Sequence, residues 1–261
     1  MYEEYKKNFQ KIFEKLSIKY GKLVVFFDFI KMCAISIYNS FAKNREMEKT
    51  YLRTIKNYEK DEQLMFPKMF SNLIMMYQTT DDIVDILGPI YEKENMANSH
   101  IGQFFTPNYI AELMAEIHVG EKNNIEKIIK ENGFLSMCEP TCGSGALIIA
   151  LVKVLKARGI NYQQDLLVIA KDISDICVYI TYIQLALYGI PAIVYCGDSI
   201  SNKSNFKMET PLYFLQYWKF RNAFSKPPTE NTNSTKKIID ETILNNFKEI
   251  MVKGNNQISL F

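Results

Sequence analysis

The stretch from residue 134 to residue 198 constrains the chain most. Three short apolar runs, Phe134 to Cys138, Leu166 to Ala170 and Ala192 to Cys196, alternate with two apolar runs of helical length, about Ala146 to Ala157 and Ile176 to Tyr188. Strands alternating with helices of this length predict βαβ units and a parallel sheet, here of three strands. Gly189-Ile190-Pro191 ends the second helix. Each predicted strand also ends in residues with ligand chemistry. A glycine-rich turn follows the first, Lys171-Asp172 follows the second and Gly197-Asp198 follows the third.

The turn is Glu139-Pro140-Thr141-Cys142-Gly143-Ser144-Gly145. Gly143 and Gly145 permit a tight bend and leave room for a ligand at the carboxyl end of the strand. The helix after the turn offers free backbone N–H groups at its start. A pyrophosphate loop would carry a third glycine, but Leu147-Ile148 fill that stretch. The pattern therefore favours an adenosyl ligand without a pyrophosphate. Asp172 is placed to accept hydrogen bonds from ribose hydroxyls, and Asp198 to meet the exocyclic amine of an adenine. A glycine or an acid at a strand end is by itself an ordinary turn residue. Three in succession along one sheet define a nucleoside cradle.

The flanks read differently. Residues 1 to about 95 are helical in pattern, with apolar series at Phe9, Ile12, Phe13, Leu16 and at Met65, Met69, Leu73, Met76. Glu46 to Gln63 is a charged, solvated face. Gly88-Pro89 breaks a helix, and Asn95 to Ser99 is a loop. Thr106 is expected as an N-cap with Pro107 as the first helical residue, the helix running through Ile110, Leu113, Met114 and Ile117. Beyond residue 200 the alternation stops. Asn202 to Glu209 is polar, Pro211 to Phe220 is an aromatic helix, Pro227 to Lys236 is a linker and Ile238 to Val252 an amphipathic helix. Tyr213, Phe214, Tyr217 and Trp218 are expected to cap the sheet and fill its core, the alternative being a base stacked on Tyr217 or Trp218. Three regions result: 1–98 helical, 99–222 an α/β core, 223–261 linker, helix and tail.

Composition adds exclusions. With 31 basic and 29 acidic residues the net charge is +2, so no global basic excess points to nucleic acid. Five cysteines without a CxxC pair, and only His100 and His118, give no metal-ligand spacing. Free thiols in a reducing cytoplasm are expected. The first ten residues, MYEEYKKNFQ, lack the apolar core of a signal peptide. Leu23 to Ile30 contains Asp28 and is too short to span a bilayer. No membrane partner is expected.

Gly102-Gln103-Phe104-Phe105-Thr106-Pro107, with the glycine turn and the acidic strand ends after it, resembles the N6-adenine DNA methyltransferase family, in particular the modification subunits of type I restriction systems. The resemblance covers about residues 80 to 200. It implies a partial Rossmann-like methyltransferase core with S-adenosylmethionine as cofactor. Phe104, Phe105, Thr106 and Pro107 would line the methionine end. Glu139, Thr141, Gly143 and Gly145 would shape the pocket, Asp172 would hold the ribose and Asp198 the adenine. It also implies DNA as a partner, with another methyltransferase or specificity subunit.

The chain departs from that family at the catalytic motif. The family activates adenine N6 with an Asn/Asp-Pro-Pro-Tyr/Phe run, whose oxygens accept hydrogen bonds from the amine and whose ring stacks on the flipped base. The only Pro-Pro is Pro227-Pro228, preceded by Ser225-Lys226 and followed by Thr229. Lysine accepts no hydrogen bond from an amine. The catalytic residues are thus unassigned, and the architecture reads as truncated before a target-recognition region. Gln257-Ile258-Ser259-Leu260-Phe261, after Gly254-Asn255-Asn256, resembles the peptide by which bacterial replication proteins dock into the sliding clamp. Gln257 would make polar contacts there, and Leu260 and Phe261 would fill an apolar pocket. A docking strand within the chain's own core is the alternative. Two functions are expected: a cofactor-binding member of an adenine-N6 methylating system, or an inactive module acting as regulator, decoy or clamp-associated protein.

Overall fold

A computed structural model describes residues 1–95, 105–215, 218 and 258–259. The helical N-terminal region comprises α1 (Tyr2–Tyr20), α2 (Lys22–Ala42), α3 (Arg45–Ile55), α4 (Lys60–Gln63), α5 (Met65–Thr79) and α6 (Leu87–Asn95). The first three form because apolar residues recur on one face and turn residues separate them. Phe9, Phe13 and Leu16 are the buried face of α1. Gly21 then takes φ 85°, a conformation that costs a side chain strain, and lets α2 fold back. Asn44 caps α3 by accepting the Glu46 and Met47 amides.

The apolar run in α2 is longer than the sequence pattern suggested. At 21 residues it is long and apolar enough to cross a membrane by those criteria. In the fold, Val25, Phe26, Phe29, Ile30 and Ile35 are buried at the centre of the core, between α1, α3 and α11. Asp28 is satisfied by Tyr58 Oη at 3.0 Å and Lys31 at 3.4 Å.

Next come α7 (Asn108–Val119), α8 (Lys122–Asn132), β1 (Leu135–Glu139), α9 (Ala146–Ala157), α10 (Tyr162–Asp165), β2 (Leu166–Asp172), α11 (Asp175–Leu187), β3 (Ala192–Asp198), β4 (Lys203–Glu209), α12 (Pro211–Leu215) and β5 (Ile258–Ser259). Among the described residues the sheet has five strands, ordered β4-β3-β2-β1-β5, not three. β1, β2 and β3 pair in parallel as expected, with Leu135 opposite Leu166 and Val168 opposite Ala192. β4 is an antiparallel edge strand on β3. Its polarity hid it: Met208 points inward while Ser204 and Asn205 are exposed, and lysines on an edge discourage further pairing.

Period-two alternation divides the parallel strands between two cores. Leu135, Met137, Leu166, Val168, Ala170, Ala192 and Val194 face α9, α11 and the N-terminal helices, in one apolar cluster that runs without interruption to Phe9. Cys138, Leu167, Ile169, Ile193 and Tyr195 face the other way, against Tyr213 and Trp218. Trp218 is fully buried, with Phe134 edge-on at 5.3 Å, so it fills core as the packing alternative expected. Tyr217 lies outside the described residues.

Two local expectations change. Thr106 does not cap α7. Pro107 occupies the N-cap with no side-chain cap bond, and the helix starts at Asn108. Gly88-Pro89 does not break a helix but lies in the first turn of α6, where a proline's missing N–H costs nothing. In the tail, Ile258 and Ser259 pair in parallel with Met137 and Cys138. Gln257, Leu260 and Phe261, with His100 and Phe104, lie outside the described residues.

Candidate cofactor site

The site assembles where β1, β2 and β3 end. Glu139 and Asp172 continue the alternation that faces α9 and α11, so both carboxylates emerge on one side of the sheet. The glycine turn folds between them. The Cys142 amide donates to the Lys171 carbonyl at 2.9 Å, and the Gly143 amide donates to Asp172 Oδ2 at 2.9 Å. Asp172 Oδ1 accepts the Ser174 amide at 2.9 Å, which starts α11. One buried carboxylate therefore fixes both the turn and the helix after it. Each of its oxygens keeps a further lone pair for a ligand hydroxyl.

The glycines are required, but for a reason residue order does not reveal. Gly143 has φ 55° and Gly145 φ 89°. A Cβ on Gly143 would stand 3.0 Å from the Phe105 ring, and one on Gly145 would stand 3.3 Å from the Thr181 side chain. The space beside them is thus taken by Phe105 and Thr181, and is not simply left open for a ligand. Thr181 reinforces the turn by donating to the Gly143 carbonyl at 2.9 Å.

Glu139 is 1% exposed. Its Oε1 accepts from the Thr141 amide at 3.1 Å and the Thr141 hydroxyl at 3.3 Å. Its Oε2 is buried, and among the described residues no donor reaches it. Burial raises its pKa, and the charge of Asp172 adds to the rise, against the Thr141 bonds. A buried carboxylate oxygen without a donor is costly, so this one has an unmet demand for a cation or an N–H.

Asp198 behaves differently. It is partly exposed, and its Oδ1 accepts the Ile200 amide at 2.9 Å in a local turn. Hydrogen bonds from Ser201 and that amide hold its pKa low. Beside it the Ser199 hydroxyl donates to the Pro140 carbonyl at 2.5 Å, tying the end of β3 to the glycine turn. Phe105 sits over the turn, stacked on Tyr91 at 5.2 Å. Thr106 is half-buried and Pro107 exposed at the start of α7. Thr141 is exposed at the mouth.

Sequence reasoning missed a second set of residues beneath the turn. Asp85, Ser144, Gln184 and Tyr77 are buried and joined by hydrogen bonds. Asp85 and Gln184 are 99 positions apart, so no local pattern marked them. All five cysteines are free and buried, and burial pushes the Cys142 thiol well up, against reactivity. His118 Nδ1 lies 2.7 Å from the Met114 carbonyl in the last turn of α7.

A mainly parallel sheet with a glycine turn and acidic residues at successive strand ends defines an α/β domain of the Rossmann-like methyltransferase class. Residues 82–257 match the family model for N-6 DNA methylase, which is more than half of the chain, and the protein belongs to that family. A 78-residue stretch is 33% identical to the type I restriction enzyme MpnII methylase subunit of Mycoplasma pneumoniae. That match takes in 28% of this chain and 12% of the relative. A solved structure assigned as a class I S-adenosylmethionine-dependent methyltransferase, from Listeria monocytogenes, superposes with a TM-score of 0.36 at 13% identity, over 68% of this chain and 54% of that one.

Proposed function

We propose that this chain binds S-adenosylmethionine at the ends of β1, β2 and β3 as part of a system that methylates adenine N6 in DNA. The observation that carries the reading is Glu139 Oε2, a buried carboxylate oxygen without a donor on the same sheet face as Asp172. The cofactor offers what that oxygen lacks, an ammonium at the methionine end. Asp172 would accept from the ribose hydroxyls, Asp198 would take the adenine edge, and Phe105 with Thr106 would wall the methionine side. Phe104, Pro107, Thr141 and the two glycines belong to the same proposed lining.

When bound, the cofactor supplies a methyl group activated by its sulfonium. The chain's own residues bind and orient it: Glu139 holds the cationic end, Asp172 fixes the turn and the sugar, and the Phe105 ring keeps water from the turn. Methyl transfer further needs oxygen acceptors for the adenine N6 hydrogens and an aromatic platform for the base. No Asn/Asp-Pro-Pro-Tyr/Phe run occurs in these 261 residues. That segment would come from outside these residues, such as a second methyltransferase or a specificity subunit, or be replaced by a different set of residues. The same observation favours the second reading, a cofactor-binding regulator or decoy without catalysis. The pairing of Ile258 and Ser259 to β1 places their backbone in the molecule's own sheet, which weighs against a free clamp-docking peptide.

Titration calorimetry with S-adenosylmethionine tests the binding reading: saturable binding is expected, and its absence at millimolar cofactor sinks it. Transfer of labelled methyl to DNA separates the two roles. Label incorporated only when a partner subunit is added supports the first, and none under any combination supports the second.

A further inference from the structure

We propose that Asp85 is a positioning residue for the glycine turn, and that residues 85–92 form the clamp by which the N-terminal helical region sets the geometry of the cofactor site. This rests on the cofactor reading above. Asp85 is 6% exposed and gathers neutral donors. Its Oδ2 accepts from the Ser144 hydroxyl at 2.5 Å, and its Oδ1 accepts from the Gly88 amide and from Gln184 Nε2, each at 2.7 Å. Gln184 Nε2 also donates to the Ser144 carbonyl at 2.7 Å. Ser144 is thereby held at both its hydroxyl and its carbonyl, between the two glycines whose conformation defines the turn.

The rest of the network fixes Asp85 and Gln184. Gln184 Oε1 accepts from Tyr77 Oη at 2.7 Å and from the Ile86 and Leu87 amides at 3.0 and 3.3 Å. Those amides belong to the start of α6, which Asp85 also caps through Gly88. A Cβ on Gly88 would come within 2.2 Å of Asp85 Oδ2, so the carboxylate fits only over a glycine.

One and two turns further along, the same segment grips the other side of the site. Glu92 Oε1 accepts the Phe105 amide at 2.7 Å, and the Tyr91 ring stacks on Phe105. Phe105 in turn lies against Gly143. Residues 85–92 therefore hold Ser144 from below and Phe105 from above. Tyr91 also packs on Phe26 and Phe27 of α2. A displacement of the helical layer would be transmitted to Ser144 through hydrogen bonds and to Gly143 through the Tyr91–Phe105 stack.

The test uses the full chain with S144A, D85A, D85N and the S144A/D85A double variant. Three quantities are read: S-adenosylmethionine affinity by calorimetry, amide hydrogen exchange of the peptide containing residues 139–147 in the free protein, and thermal midpoint. S144A is expected to speed exchange in that peptide and weaken binding by about tenfold, the loss of one hydrogen bond to a charged group, and D85A, which also removes the Gly88 and Gln184 bonds, to do both at least as strongly. D85N should stay within about threefold, because the Ser144 hydroxyl can reverse and accept from the new amide. The double variant should be no worse than D85A, since D85A already removes the bond that S144A removes. Wild-type exchange and affinity in S144A, or additive losses in the double variant, would overturn the proposal. S144A removes one oxygen, so it reports even if D85A fails to fold. If the wild type binds no cofactor, the cofactor reading fails while the exchange arm still decides whether Asp85 sets the turn.

Discussion

The Gly143 amide donates to Asp172 Oδ2 at 2.9 Å, so the carboxylate that ends β2 holds the turn that comes after β1. A residue expected to face a ribose is also part of the framework that shapes the turn. Its replacement therefore has two effects that separate by measurement. D172A should weaken S-adenosylmethionine binding at least tenfold and lower the thermal midpoint by a few degrees. D172N, which can still accept the Gly143 and Ser174 amides only in part, should fall between. Unchanged affinity in D172A would remove Asp172 from the ligand's contacts.

Glu139 predicts a pH dependence. Its folded pKa is raised, chiefly by burial, and the pKa of Asp85 is raised for the same reason. A carboxyl group with a raised folded pKa binds its proton more tightly in the folded state than in the unfolded. Its effect on stability is most favourable below the unfolded pKa and is lost as pH rises toward the folded one. The E139Q variant lacks that titration. Chemical denaturation of both proteins from pH 4 to pH 8 should show the difference moving steadily in the variant's favour. A constant difference across the range would rule out a raised Glu139 pKa.

The same oxygen predicts proton release on binding. A cationic ammonium beside Glu139 stabilises the carboxylate and lowers its pKa. Calorimetry at mildly acidic pH in buffers of different ionisation enthalpy should report protons leaving the wild-type complex. E139Q should bind about tenfold or more weakly and release fewer. Equal release from both proteins would detach Glu139 from the cationic end of the ligand.

Gly145 carries a steric prediction. Its φ of 89° disfavours any side chain, and a methyl group would meet Thr181 at 3.3 Å. G145A should cost about 1–3 kcal/mol of stability, from the left-handed backbone conformation alone and before any crowding. Trimming Thr181 to serine in the same protein should recover only the crowding part, which equilibrium denaturation can resolve.

Trp218 serves as a control for the site. It is fully buried on the sheet face away from the glycine turn, against Phe134. W218A should cost about 3–5 kcal/mol of stability through lost packing. The folded fraction should bind S-adenosylmethionine as the wild type does. A specific loss of binding at unchanged stability would instead place that ring in a functional contact.

What could be read from residue order was local. Apolar runs with glycine and proline between them located β1, β2, β3, α9 and α11 to within a few residues, because burial on both faces of a sheet leaves few polar positions in a strand. The glycine turn and Asp172 were legible because a tight bend before a helix demands those residue types whatever surrounds them. β4 was not legible, since an edge strand with one solvated face carries lysines and serines like a loop. The capping of α7 was misread for a related reason: Thr106 and Pro107 fit a helix start, but the chain enters α7 one residue later.

The amino-acid order by itself determined that this chain builds parallel βαβ strands with a glycine turn at the end of the first, since those features depend on neighbours a few positions apart. Tertiary structure alone decided what holds that turn. Asp85, Gln184 and Tyr77 come from separate segments and carry no mark in their own surroundings. They meet because one continuous apolar core draws the N-terminal helices onto the sheet, and a buried polar group then has to find its partner from wherever in the chain one arrives.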